Sequence, residues 1–172
     1  MVRGLALGMT MAALLLAGCS GDKAPAPSPS SEAAVTGPDA KPGLSASGGR
    51  LVLPAVPGRP GAAYFTLANG GSKEATVAAA FVADAGKAEM HETAGGTMAP
   101  LKTVAVPSGG TVVFAPGGKH VMVFDIADTV KAGGTVELTL TFADGDKLST
   151  PLTVEPAGGG MDHAGMSHGE EH

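Results

Sequence analysis

Four side chains stand out in a chain otherwise short of reactive groups: His91, Met98, His120 and Met122, two imidazoles and two thioethers. Within the stretch from Glu89 to Met122 that holds them, no thiol, carboxylate pair or cofactor-stacking aromatic pattern competes for the role. Thioether sulfur is a soft donor that holds zinc, magnesium or calcium poorly, whereas imidazole binds copper in either oxidation state. The mixture therefore selects copper, and Cu(I) in particular. His120 and Met122 lie two apart in the β-rich run HVMVF, so on a strand both leave the same face. His91 and Met98 lie upstream, in EMHETAGGTM.

Methionine is more often a flexible core filler than a ligand, and a lone His-x-Met pair on a strand is more often packing than metal chemistry. What turns the reading is that the region ahead of the tail has two histidines, and both stand beside methionines. Met90, adjacent to His91, would face the other side of a strand and is read as core. Glu92 and Lys119 are read as solvated charge.

The elements that must position these residues are short strands. Runs rich in β-formers recur at 50–53, 62–68, 75–82, 88–92, 101–106, 111–114, 120–126, 135–142 and 147–154. Turn-formers separate them, among them Asn69-Gly70-Gly71, Pro107-Ser108-Gly109-Gly110, Pro116-Gly117-Gly118 and Asp144-Gly145-Asp146. The segment 135–142 alternates cleanly, with Val136, Leu138, Leu140 and Phe142 one way and Thr135, Glu137, Thr139 and Thr141 the other. No stretch carries a sustained helical period. The pattern predicts an all-β, antiparallel sandwich or barrel.

Composition narrows the function. Lys and Arg number 11 against 16 Asp and Glu, a net charge of −5, which excludes a phosphate-tracking surface and hence nucleic acid as a partner. There is no Ser-His-Asp pattern, closed carboxylate pair or cofactor loop, so the chain does not read as an enzyme.

The two ends differ from the middle. Residues 1–18 read as a signal peptide, with Arg3 ahead of an apolar stretch too short to span a bilayer permanently. Leu16-Ala17-Gly18-Cys19 resembles a bacterial lipobox, which makes Cys19, the single cysteine, the lipidated first residue of the mature chain. Lipidation would remove the only thiol, excluding disulfides and thiolate metal sites. Residues 19–49, rich in Pro, Ala, Ser and Gly, read as a disordered tether. The folded domain is placed at 50–156. Residues 157–172 form a disordered tail in which Met161, His163, Met166, His168 and His172 are interleaved with Asp162, Glu170 and Glu171. Such a tract reads as metal-binding, its imidazoles and carboxylates suited to Cu(II) and its methionines to Cu(I).

Four segments carry a resemblance to a known family: GAAYFTL with Asn69, Glu89-Met90-His91-Glu92-Thr93, Val106-Pro107-Ser108-Gly109-Gly110-Thr111, and Pro116-Gly117-Gly118-Lys119-His120-Val121-Met122. The domain resembles the periplasmic copper chaperones called PCu(A)C. The resemblance implies a cupredoxin-like Greek-key β-sandwich. It also implies a ligand signature of His, a spacer, Met, twenty-one residues and then His-x-Met. Met98 and His120 are separated by the twenty-one residues Ala99 to Lys119, which fits. His91 and Met98 are separated by six residues, a shorter spacer than the family's, which either trims a hairpin tip or changes how Met98 reaches the metal.

The resemblance further implies a monomeric carrier outside the cytoplasm, held to the membrane by its lipid alone. Its recipient would be the copper-centre subunit of cytochrome c oxidase or another copper chaperone. A lipoprotein that scavenges or buffers copper is the alternative. A structural β-sandwich whose His and Met residues are incidental is a third reading.

Overall fold

The computed structural model describes residues 41–158; Cys19, the leader and most of the tether, and the tract from Met161 to His172 lie outside the described residues. Ten strands follow one another: β1 (Leu44–Val52), β2 (Gly61–Asn69), β3 (Ala75–Val82), β4 (Ala85–Ala94), β5 (Thr97–Pro100), β6 (Val104–Val106), β7 (Thr111–Phe114), β8 (Lys119–Ile126), β9 (Thr135–Phe142) and β10 (Lys147–Glu155).

They form one sheet in the order β5-β4-β8-β7-β2-β1-β10-β9-β3-β6, with β8 also pairing to β2. Connectivity shows that this sheet is rolled. β4 and β3 stand near opposite ends of the order, yet only Ala83 and Asp84 join them; the outermost strands, β5 and β6, are joined by residues 101–103. The two ends must therefore meet, closing the sheet over its own inner face in a cupredoxin-like β-fold. Most pairings are antiparallel, but β1 runs parallel to β10, and β7 meets β8 parallel at Phe114 and Lys119.

Period-two alternation decides which residues fill the interior. In β2, Gly61, Ala63, Phe65, Leu67 and Asn69 are buried while the residues between them are half-exposed. In β9, Val136, Leu138, Leu140 and Phe142 point inward as their pattern predicts. Phe65 and Phe114 stack at 4.3 Å between ring centroids, and Leu51, Val77, Met90, Val121, Val123, Leu148 and Leu152 complete the same cluster. Asn69, 2% exposed, is satisfied by donating to the carbonyls of Lys73 and Val106 and accepting from Gly71.

Two boundaries differ from the sequence reading. The sheet begins at Leu44, within the segment 19–49 assigned to the tether. Leu44, Ser45, Ala46 and Ser47 pair antiparallel with Asn69, Ala68, Leu67 and Thr66 of β2, and a bulge follows before Arg50. That stretch has little apolar bulk of its own; it is held by main-chain pairing to a strand already anchored in the core. Its Gly49 packs so closely that a Cβ there would stand 2.5 Å from the Pro151 carbonyl oxygen. The second difference is β5, which lies in a stretch between two of the predicted strands. Gly95 and Gly96 adopt φ of 58° and 79°, and Ala94 pairs with Thr97, so the chain reverses in a two-residue hairpin of the I′ kind.

Candidate metal centre

The β4–β8 register sets the site. His91 stands directly opposite His120, Glu89 opposite Met122, and, across the hairpin, Thr93 opposite Met98. Residues opposed in a sheet share a face, as do residues two apart on a strand. His91, Met98, His120, Met122 and Glu89 therefore all project from the outer face. Met90 and Val121 lie opposite each other on the inner face, 5% and 0% exposed, so Met90 is core as expected. Glu92 and Lys119 are paired with each other rather than merely solvated, with Nζ 2.5 Å from Oε1.

His120 is the most constrained donor. It is 6% exposed, and its Nδ1 lies 2.9 Å from the Gly118 carbonyl oxygen. A carbonyl only accepts, so Nδ1 carries the proton and Nε2 keeps its lone pair. That lone pair faces Met98, whose Sδ is 3.3 Å away. At this separation one soft ion could be held by both donors. Met98 belongs to a four-residue edge strand and is 52% exposed. The shortened spacer has thus become the two-glycine turn, with Met98 brought against His120. Met122, half-buried, is the next outward residue of β8 and lies between Glu89 on β4 and Ala62 on β2.

His91 completes the group. Its ring centroid is 6.1 Å from that of His120, at an interplanar angle of 30°. The two rings are close enough that one ion could be shared between them. Both ring nitrogens of His91 are buried without a hydrogen-bond partner. An unsatisfied buried polar atom costs about 1–3 kcal/mol, a cost that a metal would relieve at one nitrogen. Glu89 Oε2 lies 3.6 Å from His91 Nε2, beyond ordinary hydrogen-bond reach. Glu89's other oxygen accepts from Lys87 Nζ at 2.8 Å. That contact, with a smaller contribution from His91, holds the carboxyl below its usual range against an opposing effect of desolvation.

The sequence reading did not single out two neighbours. Glu89 sits two residues from His91 and so on its face, a signal that strand alternation carries. Tyr64 lies across from the site on β2, its ring 6.5 Å from His120 and 5.1 Å beneath the Arg50 guanidinium; only the three-dimensional pairing places it there. Among the described residues, no cluster of three or more His, Cys, Asp or Glu side chains could hold a metal. At this face the imidazoles stand beside thioethers, a mixture that favours a soft ion. The cleft lined by Pro54, Arg59, Asp125, Asp128 and Lys131 is at the far end of β8 and contains no thioether or imidazole.

Fold and face together define the class: a cupredoxin-like β-domain that presents imidazoles and thioethers on its outer sheet surface. The chain belongs to the LpqE-like family, "Putative lipoprotein LpqE-like", whose model matches residues 44–154. A protein of Leifsonia xyli subsp. xyli, "Putative lipoprotein Lxx21020", is 32% identical over 103 residues, 57% of this chain and 62% of that protein. The match thus spans less than two thirds of the relative's length. Among solved structures, "Copper-bound PCuAC domain from PmoF2" superposes with a TM-score of 0.58 at 22% identity, covering 66% of this chain and 93% of that one. "Apo PCuAC domain from PmoF1" does so with a TM-score of 0.57 at 24% identity, covering 66% and 94%. At these identities the likeness is one of fold, and it is the fold that the PCu(A)C resemblance implies.

Proposed function

We propose that this protein carries copper outside the cytoplasm, binding Cu(I) through His91, Met98, His120 and Met122. One observation carries the reading: Nε2 of a nearly buried His120, whose Nδ1 is taken by a carbonyl, faces the Met98 sulfur at 3.3 Å, beside a second imidazole whose nitrogens have no partner. The similar fold of the copper-bound PCuAC domain from PmoF2 supports the same cargo. Family membership among LpqE-like lipoproteins supports anchoring through a lipidated Cys19 after removal of residues 1–18. The remainder of the 19–49 segment ahead of β1 then serves as tether, and 157–172 as a tail.

The site has no thiolate, so the fold here carries metal rather than electrons. Release would proceed by ligand exchange. Met98, exposed on an edge hairpin, is the first donor that an incoming ligand can displace, while His120, fixed by Gly118, is the last to let go. The recipient we propose is the copper-centre subunit of cytochrome c oxidase, or another copper chaperone, with the lipid anchor confining donor and acceptor to one surface. The His/Met tract from Met161 to His172 also favours a second reading, a lipoprotein that buffers copper.

An anaerobic Cu(I) titration against a competing chelator tests the site. One-to-one binding that His120→Ala abolishes and Met98→Ala weakens is expected; undiminished binding in His120→Ala refutes it. Oxidase assembly that fails in a deletion strain and is restored by added copper separates delivery from buffering.

A further inference from the structure

We infer that Glu89 is a positioning residue that fixes the tautomer of His91, so that the two histidines present opposite nitrogens to the metal. This rests on the copper reading of the site and adds a residue outside the ligand set. The two rings face each other across the β4–β8 ladder, but their surroundings differ. His120 has a carbonyl acceptor on Nδ1, which leaves Nε2 for the metal. His91 has no carbonyl within hydrogen-bond distance of either nitrogen, and both nitrogens are buried. The Glu89 carboxylate approaches the ring on the Nε2 side, at 3.6 Å.

Strand geometry makes this placement systematic. Glu89 and His91 are two apart on β4 and share its outer face, so the carboxylate lies alongside the imidazole whenever the strand is formed. Lys87, two residues further on the same face, takes Oε1 at 2.8 Å and leaves Oε2 turned toward His91. Lys87 in turn lies over the Phe124 ring at 5.7 Å, which limits its freedom. The row Lys87–Glu89–His91 thus runs along one strand toward the site, with Lys87 holding Glu89 and Glu89 turned toward His91.

An imidazole bound to a metal ordinarily donates its other N–H to a carboxylate or carbonyl, and such contacts are often long before the ligand arrives and tighten when it does. A closure of a few tenths of an ångström by Glu89 satisfies Nε2–H and leaves Nδ1 of His91 directed to copper. Glu89 is then an acceptor for His91 and not itself a donor to the metal. The absence of a ready-made trio of hard ligands among the described residues agrees with that division.

The Cu(I) complex is diamagnetic, so long-range proton–nitrogen NMR of the 15N-labelled full chain reads each tautomer directly. His120 is expected protonated at Nδ1 and His91 at Nε2. Glu89→Ala should weaken Cu(I) binding roughly 10- to 100-fold, the range for losing such a supporting contact, while Glu89→Gln, which keeps an acceptor oxygen, should retain most of the affinity. In a His91→Ala background, Glu89→Ala should cost nothing further. A His91 protonated at Nδ1 in the Cu(I) form overturns the inference. So does an undiminished effect of Glu89→Ala in the absence of His91, which would make Glu89 a ligand in its own right. If neither His91 nor His120 responds to Cu(I) in the wild-type chain, the copper site itself is refuted, and the positioning role with it.

Discussion

The Gly95-Gly96 turn is the most informative place to perturb, because it connects a backbone conformation to a single donor atom. Gly96 sits at φ 79°, and Gly→Val there forces a β-branched residue into the left-handed region at a cost of about 1–2 kcal/mol. The strand this turn supports, β5, has four ladder pairs to β4 and no buried side chain. Such an edge hairpin is held closed by no more than about 1–2 kcal/mol. Gly96→Val should therefore lower the closed population from near complete to about half or less. With hairpin opening, Met98 leaves His120, and the apparent affinity falls in proportion to the closed fraction until the contribution of Met98 is lost.

Cu(I) affinity should accordingly drop about two- to tenfold, and never below that of Met98→Ala. The core does not depend on β5, so the thermal midpoint should move by only a few degrees. The decisive assay is the double-mutant cycle by competitive Cu(I) titration. In a Met98→Ala background, Gly96→Val should have no further effect. Full additivity would show that the turn acts on the site by another route and would refute the reasoning.

Three other outcomes follow from the same structure. Gly49→Ala should destabilise the fold by about 1–3 kcal/mol in chemical denaturation, because the added carbon meets the Pro151 carbonyl and Leu152 and must push β1 from β10, while copper stoichiometry of the folded protein is unchanged. Lys41 contacts Asp144 and Asp146 beyond β9; desolvation pulls its pKa down, but the two carboxylates outweigh that and raise it, and Lys41 in turn holds Asp144 below its usual range. A lowered carboxylate contributes stability above its unfolded pKa and loses it as pH falls through the folded value, so the melting difference between wild type and Lys41→Met should be full at pH 7 and shrink progressively once the pH falls below the ordinary carboxylate range. Deleting 158–172 should lower the number of Cu(II) ions bound without lowering Cu(I) affinity at the outer face, as read by parallel titrations; unchanged Cu(II) stoichiometry would remove the tail from the account.

Most strands were legible because alternation is a local signal: Leu138 and Leu140 need nothing beyond their neighbours to declare an inner face. β5 was not, since Thr97–Pro100 has no inward apolar set and exists only because a two-glycine turn returns it along β4. Nor was the start of β1 at Leu44, whose partner Asn69 is remote in sequence. The same distinction governs the site. Placing His120 and Met122 on one face follows from spacing alone, but setting His91 opposite His120 depends on how β4 and β8 are registered, and the approach of Tyr64 depends on β2 pairing to β8. Glu89 was within reach of the sequence, being two residues from His91, and was passed over because a carboxylate beside a soft metal set has no role until the ring's nitrogens are seen to lack acceptors.

Register also explains why such a site suits a cargo. Along β4 and β8, inner residues Met90, Val121 and Val123 fill the core while the residues between them face outward as donors. A slip of one residue would carry the imidazoles inward and the apolar set outward, so burial of the core enforces the alignment of the ligands. The apolar cluster that specifies the fold includes none of His91, Met98, His120 and Met122, so the packing does not run through the donors. Copper bound by these donors, as proposed, could then pass to a competing ligand while the core keeps its contacts. The donors differ in how firmly they are held, from Met98 on an exposed edge to His120 fixed by Gly118, and that gradient supplies an order in which they can be exchanged.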